Sequence, residues 1–190
     1  MKSKLIVFTG PDGSGKSTLS EKTKKFLDGY GFPVKIVRLG IYNQRTALLK
    51  TIRKVAGEPK RIPVPTPLKS LFRFVDMWVR YLKIIPDRVR GTTIICDRYF
   101  YDLAFYSNDW FSRILSRFSP KPDVAFFIFV DVNELLRRKQ EYSRHELEQH
   151  LNSMLKLYKK YGLVKIETYN QQVSFNNVKN EIVSKLKLHQ

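Results

Sequence analysis

Short runs of apolar residues alternate along the chain with stretches whose apolar positions recur every three or four residues. The runs predict strands at Leu5–Thr9, Val34–Leu39, Thr93–Cys96, Val124–Val130 and Val164–Thr168. The periodic stretches predict helices at Lys16–Asp28, Leu68–Arg88, Asp102–Arg117, Val132–Lys139, Glu146–Tyr161 and Asn177–Leu188. Strands and helices that alternate in this way are typical of a parallel sheet covered by helices, so the pattern predicts an α/β fold with three layers.

The predicted helix Leu68–Arg88 carries two apolar stripes separated by a polar seam. One stripe must face the sheet, and the other stripe or the seam is a candidate wall for a cleft; packing combined with charge pairs explains the same pattern. The first stripe holds Leu68, Leu71, Val75, Trp78 and Leu82, the second holds Phe74, Met77 and Tyr81, and the seam holds Arg73, Asp76 and Arg80. The preceding segment Ile41–Arg61 stays unassigned, although the pattern allows a short helix around Thr46–Val55.

A glycine-rich loop joins the first predicted strand to the first predicted helix. The stretch Gly10-Pro11-Asp12-Gly13-Ser14-Gly15-Lys16-Ser17 fits the pattern G-x-x-x-x-G-K-[ST], which in this context predicts a phosphate-binding loop. Glycines let the backbone point its N–H groups at a phosphate, and the helix start adds its positive dipole end. Lys16 would reach the terminal phosphates, and Ser17 would supply a hydroxyl to Mg²⁺. The residues predicted to bind ATP are Gly10, Asp12, Gly13, Ser14, Gly15, Lys16, Ser17 and Thr18.

An acid and an arginine follow the third predicted strand. Asp97 and Arg98 come at its carboxyl end, and ligands of open α/β sheets bind outside the carboxyl ends of strands. Asp97 would hold Mg²⁺ through water or take a proton from an attacking oxygen, and Arg98 would bind a second phosphate. The plainer alternative is a turn with a surface ion pair.

Basic residues cluster after the fourth predicted strand. Asp131 can cap the following helix, and Arg137, Arg138 and Arg144 then lie within two turns and a short loop. Arginines in a basic flap would neutralise the charge that phosphoryl transfer spreads over the moving group. The alternative is a solvated basic helix end, which the helix dipole also favours.

Composition narrows the class of protein. A chain of 190 residues suggests one domain, and a net charge of +18 attracts phosphates and polyanions. The basic residues are spread along the chain, which favours an enzyme acting on phosphorylated small molecules over a nucleic-acid-binding protein. No apolar run is long enough to span a bilayer, and the single Cys96 reads as a buried thiol, so we expect a cytoplasmic protein without membrane contact. The three histidines show no metal-ligand spacing.

Taken together, these motifs resemble the thymidylate kinase family of P-loop nucleoside monophosphate kinases. The loop with an acid inside it, the motif Asp97-Arg98-Tyr99 and the lid-like stretch Ser143-Arg144-His145-Glu146 carry the resemblance, which runs over most of the chain. It implies a P-loop NTPase fold with a mainly parallel five-stranded sheet, helices on both faces and a short basic lid at about 137–146. The whole chain, 1–190, would form one kinase domain.

The resemblance also implies roles for individual residues. Loop amides and Lys16 would hold the ATP phosphates, Asp12 would face the sugar hydroxyl of the acceptor, and Arg98 would hold the acceptor phosphate. A lid arginine would act in transfer, since the loop has none. From the motifs and the resemblance together, the predicted catalytic residues are Lys16, Asp97, Arg98, Arg137, Arg138 and Arg144; the predicted acceptor-binding residues are Asp12, Phe72, Arg73, Asp76, Arg98 and Tyr99; and the predicted Mg²⁺ ligands are Ser17 and Asp97. Phe72 would stack on the base, although core packing explains it equally well.

Two departures from the family pattern concern the acceptor. Asp76 stands where the family reads thymine with an arginine, or Met77 if the register slips by one, and Arg38-Leu39-Gly40 replaces the family's Arg-Glu-Pro-Gly stretch. We therefore expect ATP and Mg²⁺ with dTMP as the leading acceptor, and another nucleotide, a nucleoside or a sugar as alternatives. Two other functions stay open: a nucleic-acid-end kinase or ATPase, and a binding module without turnover. A homodimer is also open. The four residues Lys16, Ser17, Asp97 and Arg98 argue against the binding module.

Overall fold

Five parallel strands form the centre of the described part of the molecule. The computed structural model describes residues 3–40, 66–106, 109–138 and 143–187. The strands lie in the order β2-β3-β1-β4-β5, and every neighbouring pair is parallel. Their bounds are β1 Leu5–Thr9, β2 Val34–Val37, β3 Thr93–Asp97, β4 Val124–Phe129 and β5 Val164–Glu167. The predicted parallel sheet is confirmed: β1 has the predicted bounds, and the other strands begin as predicted and end one or two residues from the predicted positions.

Helices cover both faces of this sheet. In the described ranges they are α1 Lys16–Gly29, α2 Thr66–Leu82, α3 Ile85–Val89, α4 Tyr101–Tyr106, α5 Trp110–Leu115, α6 Val132–Arg138, α7 Arg144–Leu157 and α8 Gln171–Leu186, with a 3₁₀ turn at Ser116–Phe118. None of the helices in the described part of the chain is long and apolar enough to cross a membrane. The helix expected around Thr46–Val55 lies outside the described residues.

Two apolar cores lie on opposite faces of the sheet because successive strand residues point to opposite sides. Leu5 and Val7 of β1 join the core beneath α2, α4 and α7. Ile6 and Phe8, the alternate residues of the same strand, join the core beneath α1 and α8. Nearly continuous burial of β1, β3 and β4 is typical of a parallel sheet covered on both sides. Because helices cover both faces of the sheet, a ligand can reach it at the ends of its strands.

The predicted helix Leu68–Arg88 is wrong as a single element. It ends at Leu82, and α3 begins at Ile85. Pro86 explains the break, since its ring would clash with the carbonyl of Leu82 and it offers no N–H to continue the helix. Of the two apolar stripes, the one with Met77 and Tyr81 faces the core.

The predicted helix Asp102–Arg117 is also divided. It comprises α4 and α5, followed by the 3₁₀ turn. Asp109 has extended backbone and accepts a hydrogen bond from the backbone N–H of Ser112 at 2.8 Å, so it caps a new helix.

Two further helices begin earlier than predicted. Asn170 caps α8 by accepting from the N–H groups of Gln172 and Val173, so that helix begins at Gln171 instead of Asn177. Ser143 and Glu146 form a reciprocal capping box that starts α7 at Arg144.

Candidate active site

The glycine-rich loop lies between the end of β1 and the start of α1, at the carboxyl edge of the sheet. Gly15 is the N-cap of α1 with a φ of 91°, a conformation that side chains other than glycine rarely adopt. Within the described residues no side chain caps α1, and the first amides of the helix lie at its positive dipole end. This arrangement suits the binding of an anion.

Lys16 is folded against the loop. Its Nζ donates hydrogen bonds to the carbonyl of Pro11 at 2.6 Å and to Oγ of Ser14 at 3.4 Å, and the residue is buried. Burial lowers the pKa of Lys16 to about 8, with a further lowering by the Arg98 guanidinium that nearby carboxylates only partly offset. The surroundings therefore stabilise the positive charge of the ammonium group only in part, and an added phosphate would stabilise it further.

Ser17 in the first turn of α1 contacts Asp97 at the end of β3. The hydroxyl of Ser17 donates to Oδ2 of Asp97 at 2.7 Å, and Nε of Arg38 lies 3.4 Å from the same oxygen. A hydroxyl and a carboxylate are hard oxygen ligands of the kind that Mg²⁺ prefers, so this pair fits a nucleotide-bound Mg²⁺. The strand register that aligns Phe8 with Asp97 brings the two side chains together.

Arg98 is held at the mouth of the loop by three side chains. Its Nη1 donates to Oδ2 of Asp102 and to the hydroxyl of Tyr106, each at 3.1 Å, and its Nη2 donates to Asp12. Burial lowers the pKa of Arg98, but these partners outweigh that effect and leave the pKa above its usual range. The backbone N–H of Arg98 also bonds the carbonyl of Phe8 at 2.8 Å. The guanidinium is thus charged and fixed beside the phosphate loop.

Two cavities flank the loop. One of about 350 Å³ is lined by loop residues together with Arg38, Asp97 and Arg98. Another of about 350 Å³ lies on the other side, between Gly13, Arg138 and Tyr169. A roomier cavity of about 520 Å³ lies at the amino ends of β4 and β5, far from these side chains. We place the site at the loop because the phosphate-binding groups converge there.

The three arginines of the expected lid differ in their surroundings. Arg138 reaches the loop, with Nη1 donating to the carbonyl of Gly13 at 3.1 Å and Nη2 to that of Thr168 at 3.0 Å. Arg137 is exposed and pairs with Glu134, while Arg144 pairs with Glu148 and bonds Asn133. Among the three, Arg138 is therefore the arginine that the fold brings to the phosphate loop.

The expected acceptor residues are not all brought to the loop. Tyr99 is fully buried, and its hydroxyl donates to the carbonyl of Pro120 at 2.6 Å, so it packs in the core instead of facing the cleft. Phe72 and Arg73 are partly buried on α2. Asp76 forms an ion pair with Arg80 at 2.5 Å on the same helix.

Sequence reasoning missed three polar residues around Arg98. Asp102 lies in the first turn of α4, four positions after Arg98, and Tyr106 follows one turn later on the same helix. Arg38 directly follows β2, at the same edge of the sheet as Asp97. Each could have been found by asking which polar residues follow neighbouring strands at the carboxyl edge.

Comparison with known proteins agrees with this geometry. The sequence model of the family described as "Thymidylate kinase" matches residues 8–185. The chain is 30% identical over 203 residues to a probable thymidylate kinase of Methanococcus aeolicus, which covers 96% of this chain and 95% of the relative. It is 29% identical over 193 residues to a probable thymidylate kinase of Methanocaldococcus jannaschii, with 96% and 95% covered.

A solved structure supports the same fold. The crystal structure of thymidylate kinase from Ehrlichia chaffeensis matches with a TM-score of 0.62 and 24% identity, over 99% of this chain and 100% of that chain. The P-loop NTPase fold expected from the sequence is therefore confirmed. The match of the family model over residues 8–185, together with relatives that cover nearly the whole chain, shows that this protein belongs to the thymidylate kinase family.

Proposed function

We propose that this protein transfers the γ-phosphoryl group of ATP to dTMP. The observation that carries the proposal is the meeting of two phosphate-binding groups in one crevice: the loop that ends in Lys16 and Ser17, and the guanidinium of Arg98. The names of the relatives support dTMP as the acceptor. The buried thiol of Cys96 suits a reducing compartment, and we place the reaction in the cytoplasm.

The loop is the proposed donor site. Its amides and Lys16 would bind the β- and γ-phosphates, and Ser17 and Asp97 would hold Mg²⁺, which when bound neutralises charge on those phosphates. The cavity between Gly13, Arg138 and Tyr169 adjoins the loop on the side away from Arg98 and is the proposed place of the donor base.

The crevice around Arg98 is the proposed acceptor site. Arg98 would bind the acceptor phosphate, and Asp12 would bind a sugar hydroxyl. An ionised phosphate attacks without first losing a proton, so Asp97 is assigned to Mg²⁺ instead of to general-base work. The rate enhancement then comes from positioning the two phosphates and from neutralising their charge.

Arg138 is the proposed lid arginine. Arg138 shares Glu134 with Arg137, but it also contacts the loop through the carbonyl of Gly13, a contact that neither Arg137 nor Arg144 makes in the described part of the chain. We treat residues 1–190 as one domain in which the lid at about 137–146 carries Arg138 over the transferred group.

A different nucleoside monophosphate is the second candidate acceptor. Asp76 stands where the family pattern has a thymine-reading arginine, and its carboxylate is already neutralised by Arg80. A base whose exocyclic amino group donates a hydrogen bond to Asp76 would then compete with thymine, which has no such group.

A substrate comparison tests the proposal directly. We expect ATP-dependent formation of dTDP from dTMP, with a kcat/KM about tenfold or more above the values for dUMP, dCMP, dAMP and dGMP. Products are separated by chromatography. Lys16→Ala should abolish turnover of every acceptor without altering the circular dichroism spectrum, because the lysine contacts the transferred charge. A folded wild-type protein that leaves dTMP unchanged would refute the proposal.

Replacing Arg98 should damage the acceptor site selectively. Arg98→Ala is expected to lower kcat/KM for dTMP at least about tenfold, because it removes a charge-assisted bond to the acceptor phosphate. The KM for ATP should stay within about twofold. Arg117→Ala, an exposed arginine at the opposite edge of the sheet, is the control. Equal losses for ATP and dTMP would contradict the assignment.

Donor binding should take up protons near pH 8. The pKa of Lys16 lies at about 8, and a bound polyphosphate favours the ammonium form and raises that pKa. Affinity for a non-hydrolysable ATP analogue should therefore fall by up to about tenfold per pH unit above pH 8. Calorimetry at pH 8 in buffers of different ionisation enthalpy measures the uptake, and Lys16→Met should lose it. Proton-neutral binding by the wild type would contradict this account.

We also propose that two copies of the chain associate through α2. Apolar side chains spaced three or four residues apart are exposed along this helix: Leu68, Leu71, Val75, Val79 and Leu82. A continuous exposed apolar stripe of this kind is typical of an interface between copies.

Charges placed on this stripe should separate the copies. The double substitution Val75→Glu and Val79→Glu is expected to convert a dimer into a monomer in light scattering coupled to gel filtration, because a glutamate buried in an apolar interface is costly. Phe118→Glu, an exposed apolar residue outside the stripe, is the control. A wild type that runs as a monomer at all accessible concentrations would rule out this interface.

A further inference from the structure

A fully buried carboxylate lies directly behind Arg98. Asp102 on α4 has no exposed surface, and both of its oxygens are occupied. Oδ1 accepts a hydrogen bond from the hydroxyl of Thr9 at 2.7 Å, and Oδ2 accepts from Nη1 of Arg98 at 3.1 Å. A buried carboxylate is costly to the fold unless it is paired, so this group is retained together with its arginine.

The guanidinium of Arg98 therefore has two different carboxylate partners. Nη1 faces inward, to Asp102 and to the hydroxyl of Tyr106, whereas Nη2 faces outward, to Asp12. The Asp12 side chain is 44% exposed, and that of Asp102 is 0% exposed. A ligand entering from solvent can displace Asp12 from Nη2, but it cannot reach Asp102.

The backbone closes on the inner pair. A Cβ atom at Gly40 would lie 2.2 Å from Cβ of Arg98 and 2.4 Å from Oδ2 of Asp102, so the chain after β2 leaves no room beside the pair. Arg98 itself has a φ of 72°, a conformation that non-glycine residues rarely adopt, and its N–H is bonded to Phe8. The arginine is thus enclosed on its inner side, and its Nη2 meets the partly exposed carboxylate of Asp12.

We propose that Asp102 is a positioning residue, which holds Nη1 of Arg98 so that Nη2 is presented to the acceptor phosphate. Asp12 is the exchangeable partner. When the acceptor phosphate binds Nη2, the carboxylate of Asp12 is released and becomes available to the sugar hydroxyl. The inference rests on the proposed acceptor site at Arg98 and adds the residue that fixes its geometry. It also favours acceptors that carry a phosphate and a hydroxyl on the same molecule.

A purely structural role for Asp102 makes a different prediction. In that case the carboxylate only ties α4 to Thr9 of β1, and its loss lowers stability without any preference for one substrate. A positioning role instead requires that the effect pass through Arg98. The two roles are separated by comparing the substrates and by coupling the two residues.

A double-mutant cycle tests the proposal. Asp102→Asn should raise the KM for dTMP about tenfold, and the KM for ATP should stay within about twofold, since only the acceptor depends on Nη2. In an Arg98→Ala background, the same substitution should change kcat/KM for dTMP less than about twofold. Asp123→Asn is the matched control, because Asp123 is bonded to the backbone of Leu5 at the opposite edge of the sheet. It should alter the melting temperature but neither KM.

A second variant covers the case in which Asp102→Asn does not fold. Thr9→Val is nearly isosteric and removes only the bond to Oδ1 of Asp102, so it should raise the KM for dTMP about threefold while leaving the KM for ATP unchanged. Additive effects of Asp102→Asn and Arg98→Ala, equal losses for both substrates, or a Thr9→Val enzyme with an unaltered KM for dTMP would overturn the proposal.

The proposed function and the positioning role of Asp102 are tested by different measurements, so one can fail without the other. Turnover of dTMP by the wild type decides that question before any variant is made. If another nucleoside monophosphate proves to be the acceptor, the cycle is run with that acceptor, and the coupling between Asp102 and Arg98 decides the positioning role on its own.

Discussion

Parallel pairing of β1 with β3 is the constraint on which the site depends. The register aligns Phe8 with Asp97, so the glycine-rich loop after one strand faces the acid and the arginine that end the other. Both strands are fully buried, and a slip of one residue would turn their apolar side chains to the wrong faces. The two halves of the candidate site are therefore held in place by the core, and bonds between them, such as that from Ser17 to Asp97, add to this.

Charge pairing in the crevice follows from this arrangement. The cations Lys16, Arg38 and Arg98 lie among the carboxylates of Asp12, Asp97 and Asp102, within a chain of net charge +18. The exposed carboxylate of Asp12 can yield its arginine to a phosphate, whereas the buried Asp102 cannot. The site thus combines an exchangeable ion pair at the surface with a fixed pair beneath it, which gives both strong anion binding and a defined geometry.

The strands and the glycine-rich loop could be predicted from the sequence because both depend on local patterns. Apolar runs revealed the strands, and the glycine spacing revealed the loop with Lys16. What escaped prediction depends on the turn after β3. The positive φ of Arg98 sends Tyr99 into the core, although the two are adjacent in the motif, and aligns Arg98 with Asp102 on α4. The burial of Tyr99 and the contact of Arg98 with Asp102 depend on the tertiary structure, and the spacing of apolar residues does not predict them. The break near Pro86, by contrast, was signalled by the sequence. The prediction of one helix at Leu68–Arg88 gave the apolar spacing more weight than the proline.

A crystal structure with dTMP, Mg²⁺ and a non-hydrolysable ATP analogue tests the account most directly. The account predicts the β- and γ-phosphates on the amides of the loop, and the dTMP phosphate on Nη2 of Arg98 while Nη1 still contacts Asp102. Asp12 should then have left the guanidinium. A dTMP phosphate bound elsewhere, or an Arg98 that has turned away from Asp102 to meet it, would contradict the account.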